Sequence, residues 1–320
     1  MKRLTCLINI AKYEFTSVNE VRVNSSWDLL TDTATIVLPR KVQWSENDSL
    51  VSGDNSFFKR GDEVSIQLGY DDNNEVIFEG FISALKLGTN LEIQCEDAAK
   101  DLKSGNGTFN KKEPATLKEF LDKVSTIPFE ADPLELGSFK TKEDSPAKAL
   151  QKLREKFHLT TFAREGKLYV GPDFWPDLQQ KEVPVFTFQQ DIISDELTYK
   201  REEDVLYQVI AKSKMPDDTT IEVKEGDEEN ADNKTLEYDN MPEAQLKERA
   251  KAVLDRVKYE GFEGSITTFG TPVVRHGDVL ELKNPKYPNA ERNGKFLVKA
   301  VETTFGQGGY RQKITLNAKM

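Results

Sequence analysis

The sequence predicts a β-rich α+β protein: two related small β-barrels, a small α/β domain between them, and a helix inserted in the second barrel. Three observations predict this fold class. Segments that alternate apolar and polar residues, as half-buried strands do, fill both ends of the chain. A Gly-Asp turn followed by such a strand occurs twice, about two hundred residues apart. Between the two copies, apolar residues recur with the period of an amphipathic helix.

The repeated pattern consists of a Gly-Asp turn, an alternating strand, a loop and a glycine that opens a second strand. Its marker residues are Gly61, Asp62 and Gly80 in the first copy and Gly277, Asp278 and Gly294 in the second. We expect the alternating apolar residues to point inward in both copies, because a one-residue slip turns every side chain to the opposite face. These inward residues are Val64, Ile66 and Leu68 in the first copy and Leu280 and Leu282 in the second.

Residues 1–103 are the predicted first barrel. Its short strands are Leu4–Ile10, Val18–Asn24, Thr33–Leu38, Val64–Leu68, Val76–Ser83 and Leu91–Cys95. The acidic and amide residues at 71–74 predict a hairpin tip, since Asp and Asn tolerate left-handed backbone and bond to their own turn. A cation held by these carboxylates is the alternative to a solvated tip.

Residues 104–184 are the predicted α/β domain, which follows a linker at 104–107. Leu117, Phe120, Leu121 and Val124 have helical spacing. A second helix begins at Ser145-Pro146, an N-cap followed by proline at the first helical position. Segments 160–163 and 167–170 form a predicted hairpin. Trp175 is interpreted as a loop anchor, with an exposed platform for sugar or protein as the alternative.

Residues 185–320 are the predicted second barrel, with an acidic loop and a helix inserted at about 225–259. The acidic run at 225–232 lacks the regular ligand spacing of a calcium loop, so it predicts a solvated, mobile loop over 225–240. The helix follows Pro242 and carries Leu246, Ala250, Val253, Leu254 and Val257 on one side. Strands then complete the barrel, and glycines at 306–309 predict a hairpin turn between the last two.

Composition narrows the functional classes. With 320 residues, of which 37% are hydrophobic and 31% charged, the chain suits two or three soluble domains. The net charge of −11 argues against a protein that holds nucleic acid, which needs a basic face. No apolar run reaches the roughly 18–20 residues of a membrane span, and the polar Asn9 and Lys12 interrupt the start too early for a signal peptide. We therefore expect synthesis in the bacterial cytoplasm and no stable membrane association.

Motifs for catalysis or cofactor binding are missing from the sequence. It has no G-x-S-x-G, H-E-x-x-H, phosphate-binding loop or dinucleotide fingerprint. Two cysteines (Cys6 and Cys95) and two histidines (His158 and His276) do not supply a recognised zinc ligand set. The cysteines lie in strand-like segments and are predicted to be reduced core thiols. We therefore expect no enzymatic activity, no metal and no cofactor.

The Gly-Asp repeats carry a resemblance to a known family. The stretch from Phe58 through Gly61-Asp62 to Ser83 resembles the first barrel of contractile-tail baseplate hubs, a family that includes late-control-D phage tail proteins and the hub portion of the type VI secretion spike. The stretch from Gly270 through Gly277-Asp278 to Gly309-Tyr310 is similar to that family's second barrel. The order of barrel, α/β module and interrupted barrel matches as well, so the resemblance covers nearly the whole chain.

The resemblance implies a symmetry adaptor. Three copies would form a ring in which two barrels per chain imitate six, so that a threefold hub meets a hexameric tail tube. The resemblance implies that the chain forms a homotrimer. Its implied partners are the tail tube protein, a separate spike protein and the tape-measure protein, while DNA or cargo would only pass through the ring. Because the chain stops directly after a strand, the spike is expected to be another polypeptide. The expected location is the baseplate of a virion tail or injection particle.

Two other functional classes stay open at this stage. A tail-associated cell-wall hydrolase is suggested by the many carboxylates, because paired carboxylates hydrolyse glycans. A carbohydrate-binding adhesion module is suggested by aromatic residues such as Trp175. Peptidoglycan zymography separates the first from a structural hub, and glycan binding by a monomer separates the second.

Overall fold

The computed structural model describes residues 2–39, 41–43, 49–51, 57–171, 182–288 and 292–320, with backbone alone for 41–43 and 49–51. Trp175 lies outside these residues. The strands of the first part of the chain are β1 (Leu4–Ile10), β2 (Tyr13–Phe15), β3 (Glu20–Ser26), β4 (Thr33–Leu38), β5 (Lys41–Gln43), β6 (Ser49–Val51), β7 (Glu63–Tyr70), β8 (Asn73–Leu87) and β9 (Leu91–Glu96).

The middle part contains two helices and five strands. These elements are β10 (Gly107–Thr116), α1 (Leu117–Val124), β11 (Phe129–Ala131), β12 (Glu135–Glu143), α2 (Pro146–Phe157), β13 (Thr160–Arg164) and β14 (Lys167–Gly171). Helix α2 starts where the sequence predicts, and α1 carries the predicted apolar spacing. Ser145 accepts a hydrogen bond from the N–H of Lys148 at the start of α2, and Thr116 and Glu119 form a capping box on α1.

The last part contains β15 (Val185–Thr187), β16 (Ile192–Lys200), β17 (Tyr207–Lys214), β18 (Thr220–Gly226), β19 (Asp232–Asp239), α3 (Glu243–Val257), β20 (Gly261–Phe269), β21 (Val279–Lys283), β22 (Gly294–Gly306) and β23 (Gly309–Lys319). The hairpin turn predicted between the last two strands is present. None of the described helices is long and apolar enough to cross a membrane.

The protein is β-rich, but the two predicted barrels are not closed. Thirteen strands form one sheet, in the order β16-β20-β23-β22-β3-β4-β9-β8-β7-β1-β2, with β21 and β15 branching from β22. The predicted β-rich fold class is confirmed, but the strands of the two predicted barrels are joined in one sheet. The reason is the length of β22, which pairs with β21 through Gly294–Leu297 and then with β3 through Ala300–Gly306. One strand therefore joins the two halves of the sheet.

Each half of the sheet has its own hydrophobic core. The first core contains the buried apolar residues of β1, β3, β4, β7 and β9, including both cysteines. The second contains those of β20 to β23, such as Leu280 and Leu282. The thiols of Cys6 and Cys95 are free, and burial raises their pKa to about 11 and about 12. Both are therefore protonated and unreactive at neutral pH.

A third core joins the middle part to the segment that interrupts the second half. Strands β17, β18 and β19 form a small sheet under α3, and its Val209, Ala211 and Leu236 share one core with Phe120, Leu150 and other residues of α1 and α2. The inserted segment therefore packs on the middle part, which the sequence did not predict. The domain boundaries at 103/104 and 184/185 stay predictions.

The predicted acidic loop over 225–240 is mostly strand, so this prediction is wrong. Strand β18 continues to Gly226 and β19 begins at Asp232, which leaves a connection of residues 227–231. Within β19 only Leu236 and Tyr238 are buried, and they alternate with exposed polar residues. The surrounding charges concealed this alternation in the sequence.

Replacing Tyr238 with Ala should destabilise the shared core. Tyr238 is buried and its ring stacks on Phe157 of α2 at a centroid distance of 5.5 Å. Removing a buried aromatic ring costs about 3 kcal/mol of free energy of unfolding. The matched control is Tyr287→Ala, because Tyr287 is 56% exposed. Urea denaturation of both variants checks the prediction, and equal midpoints would contradict a core shared by β19 and α2.

Candidate functional site

The first Gly-Asp turn is held by four hydrogen bonds. Gly61, with a φ of 93°, donates its N–H to the carbonyl of Ile82 at 2.8 Å, and the N–H of Ile82 donates to the carbonyl of Asp62 at 2.9 Å. Lys59 donates its N–H to the Asp62 carboxylate at 2.7 Å, and the N–H of Asp62 returns to the Lys59 carbonyl at 3.1 Å. Left-handed backbone favours glycine at position 61.

The second Gly-Asp turn has the same four hydrogen bonds. Gly277, with a φ of 84°, donates to the carbonyl of Val298 at 2.8 Å, and Val298 donates to the carbonyl of Asp278 at 2.8 Å. Arg275 donates its N–H to the Asp278 carboxylate at 2.9 Å, and the N–H of Asp278 donates to the Arg275 carbonyl at 3.1 Å. Both turns therefore have the same geometry as well as the same residues.

The likeness extends along both following strands. Val64 pairs with Gly80 in the first half, as Leu280 pairs with Phe296 in the second. The next strand pair has an irregularity at Ser83 in the first half and at the matching Lys299 in the second, where a further irregularity at Leu297 precedes it. All the residues expected to point inward are buried, as predicted: Val64, Ile66, Leu68, Leu280 and Leu282.

One part of the predicted motif does not match. Gly80 lies inside β8, opposite Val64, and its counterpart in the second half is Phe296. Gly294 begins β22 and pairs with Leu282. The two glycines therefore do not occupy equivalent positions. Sequence spacing did not show this because the connection between the paired strands is longer in the second half.

The two aspartates differ in their surroundings. Asp62 is part-exposed, whereas Asp278 is 7% exposed and its carboxylate lies 2.9 Å from the guanidinium of Arg164. Arg164, at the end of β13, also donates to the carbonyl of His276 at 3.2 Å. The second turn thus anchors the middle hairpin to the sheet.

An apolar contact reinforces this junction. Trp27 after β3, Phe162 of β13 and Leu297 of β22 form one small buried cluster. Each residue comes from a different part of the chain. The first half, the middle part and the second half therefore meet at this point.

His276 is buried at the centre of the junction. Its Nδ1 hydrogen-bonds to the hydroxyl of Ser25 and lies 3.7 Å from a carboxylate oxygen of Asp32, and its ring meets Phe162 edge-on at 5.1 Å between centroids. Burial, followed by the nearby charges of Arg164 and Arg275, lowers the pKa of His276 to about 3. The imidazole is therefore neutral at physiological pH.

The carboxylates of Asp32 and Asp97 border the junction on the side of the first half of the sheet. The N–H of Asp32 donates to the Asp97 carboxylate, and the N–H of Asp97 donates to the carbonyl of Asp32, each at 3.1 Å. Burial raises the pKa of Asp32 to about 7 and that of Asp97 to about 6. Asp32 is therefore partly protonated near neutrality.

Ser25, His276 and Asp32 include the residue types of a hydrolase triad, but their geometry is different. A triad needs the serine on one ring nitrogen and the carboxylate on the other. Here both face Nδ1, while the buried Nε2 has no hydrogen-bond partner among the described residues. A cavity of about 630 Å³ borders these residues. No group of three or more metal-ligating side chains occurs in the described part of the chain.

The sequence identified the two turns but missed the residues that join them to the rest. Arg164, Asp32 and Asp97 carry no local motif, and Arg164 lies 114 positions before its partner Asp278. One sequence feature could have pointed to this junction: His276, one of the two histidines of the chain, lies directly before Gly277.

The fold defined by these observations is similar to that of phage tail proteins and of a component of the type VI secretion system. The tail protein from Neisseria meningitidis MC58 aligns with a TM-score of 0.69 at 13% identity, over 98% of this chain and 96% of that one. The 43 kDa tail protein of prophage MuSo2 from Shewanella oneidensis aligns with a TM-score of 0.62 at 13% identity, over 98% of both chains.

A type VI secretion component from E. coli has the same fold. It aligns with a TM-score of 0.57 at 10% identity, over 98% of this chain and 77% of that one. No protein-family model matches the sequence, and no curated protein matches it significantly. The resemblance seen in the Gly-Asp repeats is thus confirmed at the level of the fold.

Replacing Asp278 with Asn should destabilise the protein much more than the same change at Asp62. Both variants keep an oxygen that accepts the hydrogen bond of the turn, but only Asp278→Asn leaves Arg164 buried without its counter-charge. Breaking a buried ion pair costs about 3 kcal/mol, whereas an exposed polar change costs less than about 1 kcal/mol. Chemical denaturation measures both, and equal losses would contradict an anchoring role for the second turn.

The Asp32→Asn variant should gain stability relative to the wild type as pH rises from 4 to 7. The folded-state pKa of Asp32, about 7, lies above its ordinary value of 3.8. Protonation of Asp32 therefore stabilises the folded state of the wild type fully below pH 4, and this stabilisation is lost as pH rises through 7. The relative change should be roughly 3 kcal/mol in free energy of unfolding.

The control for this pH dependence is Asp144→Asn. Its hydrogen bond with Lys148 lowers the pKa of the exposed Asp144 carboxyl, so its relative stability should change with the opposite sign. Denaturation of both variants at pH 4, 5.5 and 7 gives the two slopes. Parallel slopes would show that Asp32 does not titrate as its burial requires.

Proposed function

We propose that this chain is the structural baseplate hub of a phage tail or of a phage-like contractile injection system. The observation that carries the proposal is the alignment of almost the entire chain with almost the entire length of phage tail proteins. The relatives supply the fold alone, so the role is our inference. The proposed location is the baseplate of a virion tail or injection particle.

The proposed mechanism is a symmetry adaptor. Each chain has two similar units, because its two halves share the same turn geometry and strand register. A trimer therefore presents six similar units. Such a homotrimer joins a hexameric tail tube to a central spike protein, which we propose to be a separate polypeptide. The tape-measure protein and passing DNA or cargo are the further proposed partners.

We place the contacts between protomers at the two ends of the large sheet. Strand β16 is one end, and β2 with the start of β1 is the other, in the described part of the chain. Strand edges carry unpaired backbone groups that add further strands readily. Ile193 on β16 is 48% exposed, as expected for a surface that a neighbour covers. Because the two ends differ, their pairing is heterologous, and in the proposed trimer a rotation of one third of a turn between copies closes the ring.

The proposed division into units supports this assembly. Residues 1–103 and 185–320 supply the ring, and 104–184 supplies the α/β domain. The segment 207–257 interrupts the second ring unit but packs on the α/β domain. The insertion therefore ties the domain to the ring at two points of the chain.

A cell-wall hydrolase or an adhesion module is the alternative. The cluster of Ser25, His276 and Asp32 beside a cavity is the observation that favours a hydrolase, but both partners contact the same ring nitrogen. We therefore propose a non-enzymatic protein. Peptidoglycan zymography with the wild type and the Ser25→Ala variant tests this: no clearing supports a hub, and clearing lost in Ser25→Ala overturns it. Glycan-array binding by a monomer would favour the adhesion module.

The protein should form a closed trimer, at high concentration or with its spike partner. An obligate interface of this kind buries more than ~1,000 Å² per pair. The Ile193→Lys variant should weaken the trimer because it puts a charge at the contact, whereas Leu206→Lys should not, although Leu206 is equally exposed at 47%. Multi-angle light scattering measures the mass, and particle imaging gives the symmetry. A monomer or dimer under both conditions would contradict the hub.

A further inference from the structure

The two halves of the large sheet repeat one strand order. Across the sheet, the first half runs β3-β4-β9-β8-β7 and the second runs β16-β20-β23-β22-β21. The strands of both series also follow one another along the chain in the same sequence. Each strand therefore has a counterpart in the other half: β22 is the counterpart of β8, and β16 is the counterpart of β3.

The strand register identifies the counterpart of Leu87 on β22. Leu87 comes four positions after the irregularity at Ser83, and Thr303 comes four positions after the matching irregularity at Lys299. Each of the two lies opposite a buried residue of the following strand. Leu87 and Thr303 are therefore equivalent residues, and both lie on the core side of the sheet.

The register also identifies the counterpart of Leu197 on β3. Ile36 of β4 and Ile266 of β20 match, because each pairs with the isoleucine of β9 or β23 that lies opposite the second residue after the irregularity. Two positions beyond their partners on β3 and β16 lie Val23 and Leu197. These two residues are therefore equivalent, and each packs against the core of its own half.

Within the chain, the two halves meet through β3 and β22. These strands pair antiparallel, with Val23 opposite Thr303. Strand β3 occupies the edge of β22 that β21 leaves free after Leu297. The contact leaves Val23 only 3% exposed and Thr303 only 4% exposed.

The counterpart edges in β8 and β16 lack this cover. Strand β7 pairs with β8 from Asn73 to Phe81, and no described strand continues along that edge beside residues 84–87. Strand β16 pairs with β20 alone among the described strands. Leu87, the counterpart of the buried Thr303, is accordingly 48% exposed, and Leu197 is only partly buried.

We propose that β16 of one copy pairs antiparallel with β8 of the next copy, with Leu197 opposite Leu87. The register is the one that β3 and β22 adopt within the chain, so the contact between copies repeats the contact between the halves. It pairs the backbone groups of two strand edges and removes both leucines from water. The inference rests on the proposed trimer and refines it, because β8 rather than β1 or β2 supplies the hydrogen-bonding edge at that end of the sheet.

A disulfide tests the register. The test variant carries Leu87→Cys and Leu197→Cys, because side chains directly opposite in an antiparallel pair have Cβ atoms about 5 Å apart, close enough for oxidation to a disulfide. Each copy contributes one cysteine to each of two contacts, so oxidation of the concentrated protein should give a covalent trimer in non-reducing electrophoresis. The wild type should give none, because Cys6 and Cys95 are buried.

The matched control shifts the register by one residue. It carries Leu87→Cys and Thr198→Cys, which puts the second cysteine on the opposite face of β16. We expect at least about tenfold less covalent trimer from this pair, because cysteines that point apart are not bridged without backbone movement. Circular dichroism checks the folding of both variants.

A second measurement does not depend on a disulfide. Leu87→Asp should raise the dissociation constant of the trimer at least about tenfold, since a leucine side chain buried on association is worth that factor. The control is Leu29→Asp, because Leu29 is equally exposed at 48% and lies outside the proposed contact. Equal dissociation constants for the two variants would overturn the pairing.

The outcomes separate this inference from the proposed function. A trimeric wild type whose matched cysteines give no more covalent trimer than the shifted pair would overturn the pairing of β16 with β8 and leave the proposed hub unaffected. Covalent chains of more than three copies would support the pairing but contradict a closed ring. A wild type that is monomeric under both conditions of the trimer measurement, with no covalent trimer from the matched cysteines, would overturn both.

Discussion

Strand β22 is the constraint on which the rest of the structure depends. Its first residues pair with β21 and its last with β3, while β23 lies along its other side. Val298 and Val301 enter the second core, and Phe305 enters the first. A slip of one residue would turn all these side chains outward and separate the two halves. The likeness of the halves therefore does not make them independent, because one strand fixes their relative position.

The junction shows why two similar turns have different roles. Both make the same hydrogen bonds, but only the second lies where β13 approaches, so only Asp278 meets Arg164. A buried ion pair is weak evidence for stability, since desolvation opposes the attraction. Its geometry is nevertheless specific: an Arg at one place and an Asp at another define how the middle part attaches. The same desolvation raises the pKa of Asp32, because it outweighs the hydrogen bond from Ser25 and the nearby charge of Arg164.

Charge in this protein has to be considered locally. The net charge of −11 argues against a nucleic-acid binder, yet Arg154, Lys234 and Arg256 line one groove together with Asp28 and Glu155. The acidic residues are dispersed over strands such as β18 and β19, where they alternate with partly buried side chains. The total charge thus describes solubility and long-range repulsion, whereas a partner senses the few charges within a Debye length of its binding site.

The sequence by itself determined the local structure: the alternating strands, the starts of α1 and α2, the glycine turns and the inward side of Val64 and Leu280. These follow from period and backbone preference, which act over a few residues. It also suggested the correct fold, through the repeated turns. Only the tertiary structure decided that β22 joins the halves, that β19 is a strand, and that Arg164, His276 and Asp32 meet. The pairing of β22 with β3 and the contacts of His276 with Arg164 and Asp32 join residues more than a hundred positions apart, and no local pattern encodes them because the partners are brought together only when the cores pack.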